Sequence, residues 1–458
     1  MNIIKWYAAV INLGHEHEKK PLLLRERVGL RFGKDVYSSV CESPDIDFEL
    51  VSTHPFSSAS YYSGGIYVFG DIDLHNRHEL KEMLGEAAGD IYGQEELLIR
   101  LFEETGMDFV KRLVGVFSFV LYDTKNDVAY TVRDHMGMKP IFWVRDGQRL
   151  IVSSDMFLIK DESSGHDLNE TYFSEFVESN GIVDSVNTPY KKIMRVPSSS
   201  FVRHHMSEST VRKYWDLADV NEPLTFPSLE GYISEFDDLF RKAVQRRLRR
   251  DKSDAVMLSG GLDSTAIYAT GKEFESTSDY RLGSISAVFE ELSECDESEY
   301  IDGLLKKYNS EGLFKNFDNI LMFEGFPHSI PVSDEPNVNS LTYNFTKKLI
   351  DLSAARGHTN ILSGFAGDHL LGGSAYVASD KVKELKVRDS LKILTSYSIG
   401  TNTSAFKNFK NYVASPKVLD KEFGDKTGRK YKELKSKLER IKRASKKELY
   451  VQMAQAKS

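Results

Sequence analysis

Apolar positions along the chain follow two regimes. Up to about Asp216 they come in short runs, at Tyr7–Ile11, Gly65–Phe69, Val116–Leu121, Val128–Val132 and Leu150–Ser153. Short runs rich in β-branched and aromatic residues, separated by turn residues, predict strands. Asp123-Thr124-Lys125-Asn126-Asp127 lies between two of them and reads as a hairpin turn. Helical spacing intervenes at Arg77–Leu84 and Glu95–Thr105. Strands and hairpins mixed with helices predict an α+β layered domain.

Beyond Asp216 the period changes. Leu229–Arg249 places Ile233, Phe236, Leu239, Phe240 and Val244 at amphipathic-helix spacing. A short apolar run at Ala255–Leu258 reads as a buried strand, and a helical pattern starts near Asp263. A strand at Leu282–Phe289, the acidic stretch Glu290–Glu299, a helix at Lys347–Ala355 and a strand at Asn360–Ser363 follow. Strands alternating with helices predict a parallel, doubly wound sheet with its ligand sites at the strands' carboxyl ends. The tail from Tyr431 reads as an amphipathic helix through Leu434, Leu438, Ile441, Leu449 and Met453.

The first strand end of that sheet carries the candidate chemistry. Ser259-Gly260-Gly261 follows the apolar run, and Asp263-Ser264-Thr265 opens the helix. Glycines let backbone N–H groups approach an anion, and the helix N-terminus adds partial positive charge. Ser259 and Ser264 can donate hydroxyl hydrogen bonds, and Asp263 can hold magnesium against phosphates. No G-x-x-x-x-G-K-[ST] pattern occurs, so this is not a Walker loop.

S-G-G-L-D-S (Ser259–Ser264) resembles instead the pyrophosphate loop of ATP pyrophosphatases, which release AMP and pyrophosphate. S-G-F-A-G-D-H-L-L-G-G (Ser363–Gly373) resembles the second ATP motif of the asparagine synthetase superfamily. By that resemblance ATP and Mg2+ are bound: Asp263 and Asp368 share the metal, and Leu258, Ser259, Gly260, Gly261, Ser264 and Gly364 contribute to the nucleotide site. D-E-S-E-Y (Asp296–Tyr300) matches a family pattern at a helix start, and D-E-P (Asp334–Pro336) sits where relatives line the acceptor pocket.

Upstream, Gly70–Leu80, Leu113–Asp123 and Val132–Phe142 match in order the glutaminase-type domain of class B asparagine synthetases. Ser153–Ile159 and Thr188–Pro197 continue the likeness. The implied layout is a sandwich of antiparallel sheets covered by helices over residues 1–215, an ATP-pyrophosphatase synthetase domain over 216–375 and a basic helical segment over 376–458. Glutamine-hydrolysing members carry Cys after the initiator Met; here that residue is Asn2, and a carboxamide is no nucleophile. With Met1 as the native start, the expectation is a domain without glutaminase activity that serves as scaffold or docking surface.

Within the superfamily, Phe365 occupies the position where lactam synthetases carry a catalytic Tyr and asparagine synthetase a Glu. Phenylalanine transfers no proton. The pattern from Asp334 through Gly373 most resembles lasso peptide cyclases, which adenylate an Asp or Glu side chain of a precursor peptide for attack by its N-terminal amine. Three partners are implied: the precursor peptide, a leader peptidase and a leader-recognition protein. Other readings are an ammonia-dependent asparagine synthetase-like enzyme and an inactive ATP- or partner-binding scaffold. After Gly373 no R-x-P-F-L-D-like segment follows, which suggests a shortened chain; Lys446 and Lys447 are the candidates for a late intermediate-neutralising lysine, and His369 for the amine's base.

Bulk properties change this picture little. At 458 residues, with 41% hydrophobic and 28% charged, the chain fits a soluble protein of two or three domains. No stretch of roughly 18 apolar residues predicts a membrane span, and no secretory signal is visible. Cys41 and Cys295 suggest neither disulfides nor a metal site, so the expected location is cytoplasmic. From Ala405 onward 16 Lys/Arg face 6 Asp/Glu, so the net −8 divides into +10 there and −18 elsewhere. Phe406, Phe409 and Tyr412 recur in this tail at helical spacing, and its basicity reads as a charged helix face rather than a nucleic-acid site. His15, His17, His204 and His205 lack metal-ligand spacing and read as polar surface.

Overall fold

The structure, a computed structural model, describes residues 5–13, 37–42, 46–52, 60–85, 89–160, 167–179, 181, 185–219, 224–248, 253–276, 280–321, 324–325, 328, 333–337, 342–371, 377–383, 386–401, 403–409 and 412–413. The chain divides into two compact units, Met1–Gly364 and Phe365–Ser458. Asn2, Lys446, Lys447 and the amphipathic pattern from Tyr431 lie outside the described residues.

The first unit begins with β1 (Lys5–Asn12), β2 (Tyr37–Glu42), β3 (Ile46–Ser52), β4 (Ser60–Ser63) and β5 (Ile66–Leu74). Two helices follow, α1 (Arg77–Leu84) and α2 (Gln94–Thr105). Next come β6 (Gly115–Asp123), β7 (Val128–Arg133), β8 (Phe142–Asp146) and β9 (Arg149–Ser153). The domain closes with α3 (Glu170–Glu178), β10 (Met194–Arg195), β11 (Ser200–His205) and β12 (Glu208–Lys213). One antiparallel sheet orders β10-β8-β9-β1-β3-β2, the other β12-β11-β7-β6-β5-β4. This is the expected sandwich.

Period-two alternation in β1 shows why. Tyr7, Ala9 and Ile11 enter the core between the sheets with Phe48, Phe69, Val120 and Val152, while Trp6, Ala8 and Val10 join a second core with Phe142, Ile151 and Ile193. Leu80, Leu84, Leu97, Leu98 and Leu101 lay α1 and α2 over Val68, Phe117 and Phe119. The Asp123–Asp127 turn forms as expected: the Asp123 carboxylate accepts from the N–H groups of Lys125 and Asn126, and Asp127 takes the left-handed conformation at φ 51°.

Gly70 is where β5 and β6 come too close for a side chain. A Cβ there would lie 2.3 Å from the Ser118 carbonyl oxygen and 2.6 Å from Phe119 Cα. Gly70→Ala is therefore expected to destabilise the domain by about 1–3 kcal/mol. Urea unfolding reads this as a lower midpoint, and an unchanged midpoint would mean that β5 and β6 separate freely.

After α4 (Leu229–Gln245) come β13 (Asp254–Met257), α5 (Leu262–Glu275), β14 (Leu282–Val288), α6 (Ser298–Lys307), β15 (Leu313–Asn316), α7 (Tyr343–Ala355) and β16 (Asn360–Ser363). Their sheet is wholly parallel, in the order β15-β14-β13-β16. Val256, Leu258, Tyr268, Leu282 and Ile301 fill one core and Ile285, Phe317 and Leu349 another, as both faces of a parallel sheet require.

Helix α4 differs from its pattern. Val244 is buried and Phe240 partly so, but Ile233, Phe236 and Leu239 stay more than half exposed among the described residues. Periodicity marks an apolar face without saying what covers it. The basic end of α4 also has its own role: Arg246 pairs with Glu79 of α1, and burial with Arg247 and Arg246 pushes His75 down to about 4.

The second unit contains α8 (Gly367–Leu371), α9 (Val377–Lys383), α10 (Val387–Thr401) and α11 (Ala405–Phe409). Tyr397 and Tyr412 meet edge to face at 5.3 Å, so Tyr412 of the basic tail packs rather than standing free.

Candidate functional site

Strand β13 holds the key position in the sheet. From it the chain runs to β14 on one side, whereas β16 closes on its other side, with Met257 opposite Ser363. Ligands bind at such a switch point, beyond the carboxyl ends of the strands, because the outgoing connections part there and leave a crevice. Leu258–Ser264 leaves from one of these ends and Gly364 from the other.

The loop is folded on itself. Leu258 is buried, and its N–H donates to the Ile285 carbonyl at 2.9 Å. The Ser259 N–H donates to Ser264 Oγ at 3.1 Å, the two hydroxyls lie 2.9 Å apart, and the Gly261 N–H reaches Ser259 Oγ at 3.3 Å. Ser264 is buried, so its hydroxyl shapes the loop rather than facing solvent. Asp263 stands half-buried in the first turn of α5, beside the positive end of the helix. Gly364 presses against this turn: a Cβ on it would lie 2.8 Å from both Asp263 Cβ and the Ser264 nitrogen.

One neighbour was not anticipated. The Gly260 N–H donates to Glu297 Oε2 at 3.0 Å, so a carboxylate engages the phosphate-type loop. Asp296 beside it accepts from Ser298 Oγ and from the Phe289 N–H, and these bonds hold its carboxyl below the usual carboxylate range. D-E-S-E-Y marked this helix start, but contact with the loop depends on how β14 places α6 against β13. Glu297→Gln is expected to tighten MgATP binding about threefold, the scale of one solvent-screened charge interaction. Calorimetric titration checks it, and the gain should shrink with added salt; weaker binding by the variant would refute the competition.

Thus Leu258, Ser259, Gly260, Gly261, Asp263, Ser264 and Gly364 come together within the first unit. Asp368 occupies the first turn of α8 in the second unit and is exposed, as is Phe365. Between them Ala366 adopts φ 68°, uncommon for a residue with a Cβ. The side chain of His369 lies outside the described residues. No cluster of three or more His, Cys, Asp or Glu able to hold a metal occurs among the described residues. A lone protein carboxylate still fits magnesium, which is commonly held by one or two carboxylates with substrate phosphates supplying other ligands.

The D-E-P segment turns its carboxylates toward the N-terminal domain. Tyr190 Oη donates to Asp334 Oδ1 at 3.1 Å, Lys160 Nζ lies 4.0 Å from the same oxygen, and Arg195 pairs with Glu335. Arg133, Phe142, Arg195 and Glu335 help line an adjacent cleft of about 550 Å³.

His204 corrects its expected place on the surface. It is fully buried between Thr131 Oγ1 at 3.1 Å and Ser209 Oγ at 2.8 Å, and desolvation pushes its pKa well below the ordinary value. Alternation along β11 turns it inward while His205 stays partly exposed.

Residues 46–215 match the glutamine amidotransferase domain and residues 235–457 the asparagine synthase domain. In this pairing of two domains the chain is similar to the asparagine synthetase family. A Methanocaldococcus jannaschii protein bearing the name of a glutamine-hydrolysing asparagine synthetase is 26% identical over 68% of this chain and 58% of its own length. The glutamine-hydrolysing asparagine synthetase 2 of Bacillus subtilis is 24% identical over 60% and 38%. The asparagine synthetase of Asparagus officinalis is 26% identical over 77% and 56%. The chain spans about half the length of these curated relatives. Among solved structures, the glutamine phosphoribosylpyrophosphate amidotransferase of B. subtilis covers 78% of the chain and 90% of its own at 12% identity, with a TM-score of only 0.32. No helix among the described residues is long and apolar enough to cross a membrane.

Proposed function

We propose that this protein is an ATP-dependent, AMP-forming carbon–nitrogen ligase. The carrying observation is the folded Ser259–Ser264 loop at the switch point of a parallel sheet, packed against Gly364. Loop N–H groups and the α5 N-terminus suit the triphosphate, and Asp263 suits its magnesium, with Asp368 assigned to the same ion by motif alone. Magnesium, when bound, neutralises the charge developing on departing pyrophosphate. A substrate carboxylate attacks the α-phosphorus, pyrophosphate leaves, and an amine displaces AMP from the acyl-adenylate.

The finer reading is a lasso peptide cyclase. The activated group would be an Asp or Glu side chain of a precursor peptide, the amine its N-terminus, and the product a macrolactam. The pattern from Asp334 through Gly373 supports it by resemblance; Phe365 supplies no acid or base where asparagine synthetase and lactam synthetases carry one, which speaks against those two mechanisms and equally suits an inactive scaffold. A peptide held pre-threaded gains its rate from proximity. A leader peptidase and a leader-recognition protein complete the proposed partners. The names of the curated relatives favour a second reading, an asparagine synthetase-like enzyme acting on a small carboxylate. Pyrophosphate release decides: the peptide reading expects release with MgATP and the co-encoded precursor peptide, whereas release with aspartate plus ammonia alone selects the second.

A further inference from the structure

We infer that the N-terminal domain positions the acceptor side of the synthetase site by gripping Asp334 and Glu335, with Arg195, Tyr190 and Lys160 as positioning residues. The inference rests on the proposed synthetase reading for the role of the D-E-P segment, and on geometry for the grip. Asp334 is held by Tyr190 Oη and by Lys160, and its neighbour Glu335 by Arg195. Attachment of two consecutive residues at separate points fixes direction as well as position, and Pro336 then restricts the backbone that follows.

Desolvation makes the grip specific. Only 10% of the Asp334 side chain and 12% of the Arg195 side chain are exposed. A charge buried to this degree is costly once its partner is removed, so the segment is held to one arrangement. Arg195 is itself fixed, being on β10, which pairs with β8, and having its guanidinium over the Phe142 ring at 5.6 Å. The pair forms one wall of the 550 Å³ cleft, so displacement of Glu335 alters the space beside the segment. The N-terminal domain would in this way serve amide synthesis as a positioning element.

Charge reversal with rescue tests it on the full chain. R195E and E335R are each expected to speed hydrogen–deuterium exchange across residues 333–337. They should also raise KM for the acceptor that supports AMP release (precursor peptide, or aspartate with ammonia) about tenfold, leaving the MgATP Kd unchanged. The R195E/E335R double variant should restore both readouts, and Tyr190→Phe should give a smaller shift in the same direction. Unchanged exchange in both single variants, or a folded double variant that restores neither readout, overturns the proposal. If the wild-type protein forms no AMP with any acceptor, the synthetase reading fails, while the exchange measurement still decides the grip.

Discussion

Asp263→Ala and Asp263→Asn should each lower MgATP-dependent pyrophosphate release by about 100- to 1000-fold, the scale lost when a preorganised electrostatic partner leaves a reacting phosphoryl group. The asparagine variant is the sharper of the two, because it keeps the shape and removes the charge. Asp263 also sits in the first turn of α5, where a carboxylate is worth about 0.3–1 kcal/mol to the helix. Fold stability should therefore move little while activity collapses, and the size of that difference separates a metal ligand from a helix-favouring residue. The measurement is pyrophosphate release across a magnesium titration, beside thermal unfolding of the same samples. Release at the wild-type rate by Asp263→Asn would remove this residue from the magnesium site.

Gly364→Ala should disable the nucleotide site from the other strand end. Its Cβ would stand 2.8 Å from the Ser264 nitrogen and from Asp263 Cβ, closer than real side chains come to backbone. Either β16 or the first turn of α5 must yield, and the Ser259–Ser264 hydroxyl contact is made by that turn. Overpacking costs about 1–3 kcal/mol of stability, and displacement of a positioning element by about 1 Å can cost on the order of 100-fold in rate. Weakened MgATP binding with retained far-ultraviolet circular dichroism is the expected result. Wild-type affinity would show that the two strand ends are not coupled through this contact.

Both predictions concern a loop whose residues were legible in the sequence, because its chemistry is local. Strand length, glycine positions and helix start all lie within Asp254–Ala266, so periodicity and turn chemistry suffice to place Ser259, Gly260 and Gly261. The same holds for the sandwich, where alternation in β1 separates Tyr7, Ala9 and Ile11 from Trp6, Ala8 and Val10. Local pattern failed where the partner is remote. Nothing near His204 announces Thr131, 73 residues away, or Trp143 of the facing sheet, whose ring lies 5.1 Å from the imidazole; packing of the two sheets buries it.

By itself, then, the sequence determined a layered α+β domain followed by a parallel-sheet domain with an anion loop at its first strand end. Its motifs also named Asp263, Asp368 and Gly364 as candidates. Tertiary structure alone decided what touches that loop and what holds its surroundings: Gly364 against Asp263, Glu297 on the Gly260 N–H, and the D-E-P carboxylates on Tyr190, Lys160 and Arg195. The division has a physical reason. Periodicity and turn propensity arise from neighbours a few residues apart, whereas a contact such as Tyr190 to Asp334, 144 residues apart, exists only after two domains have packed.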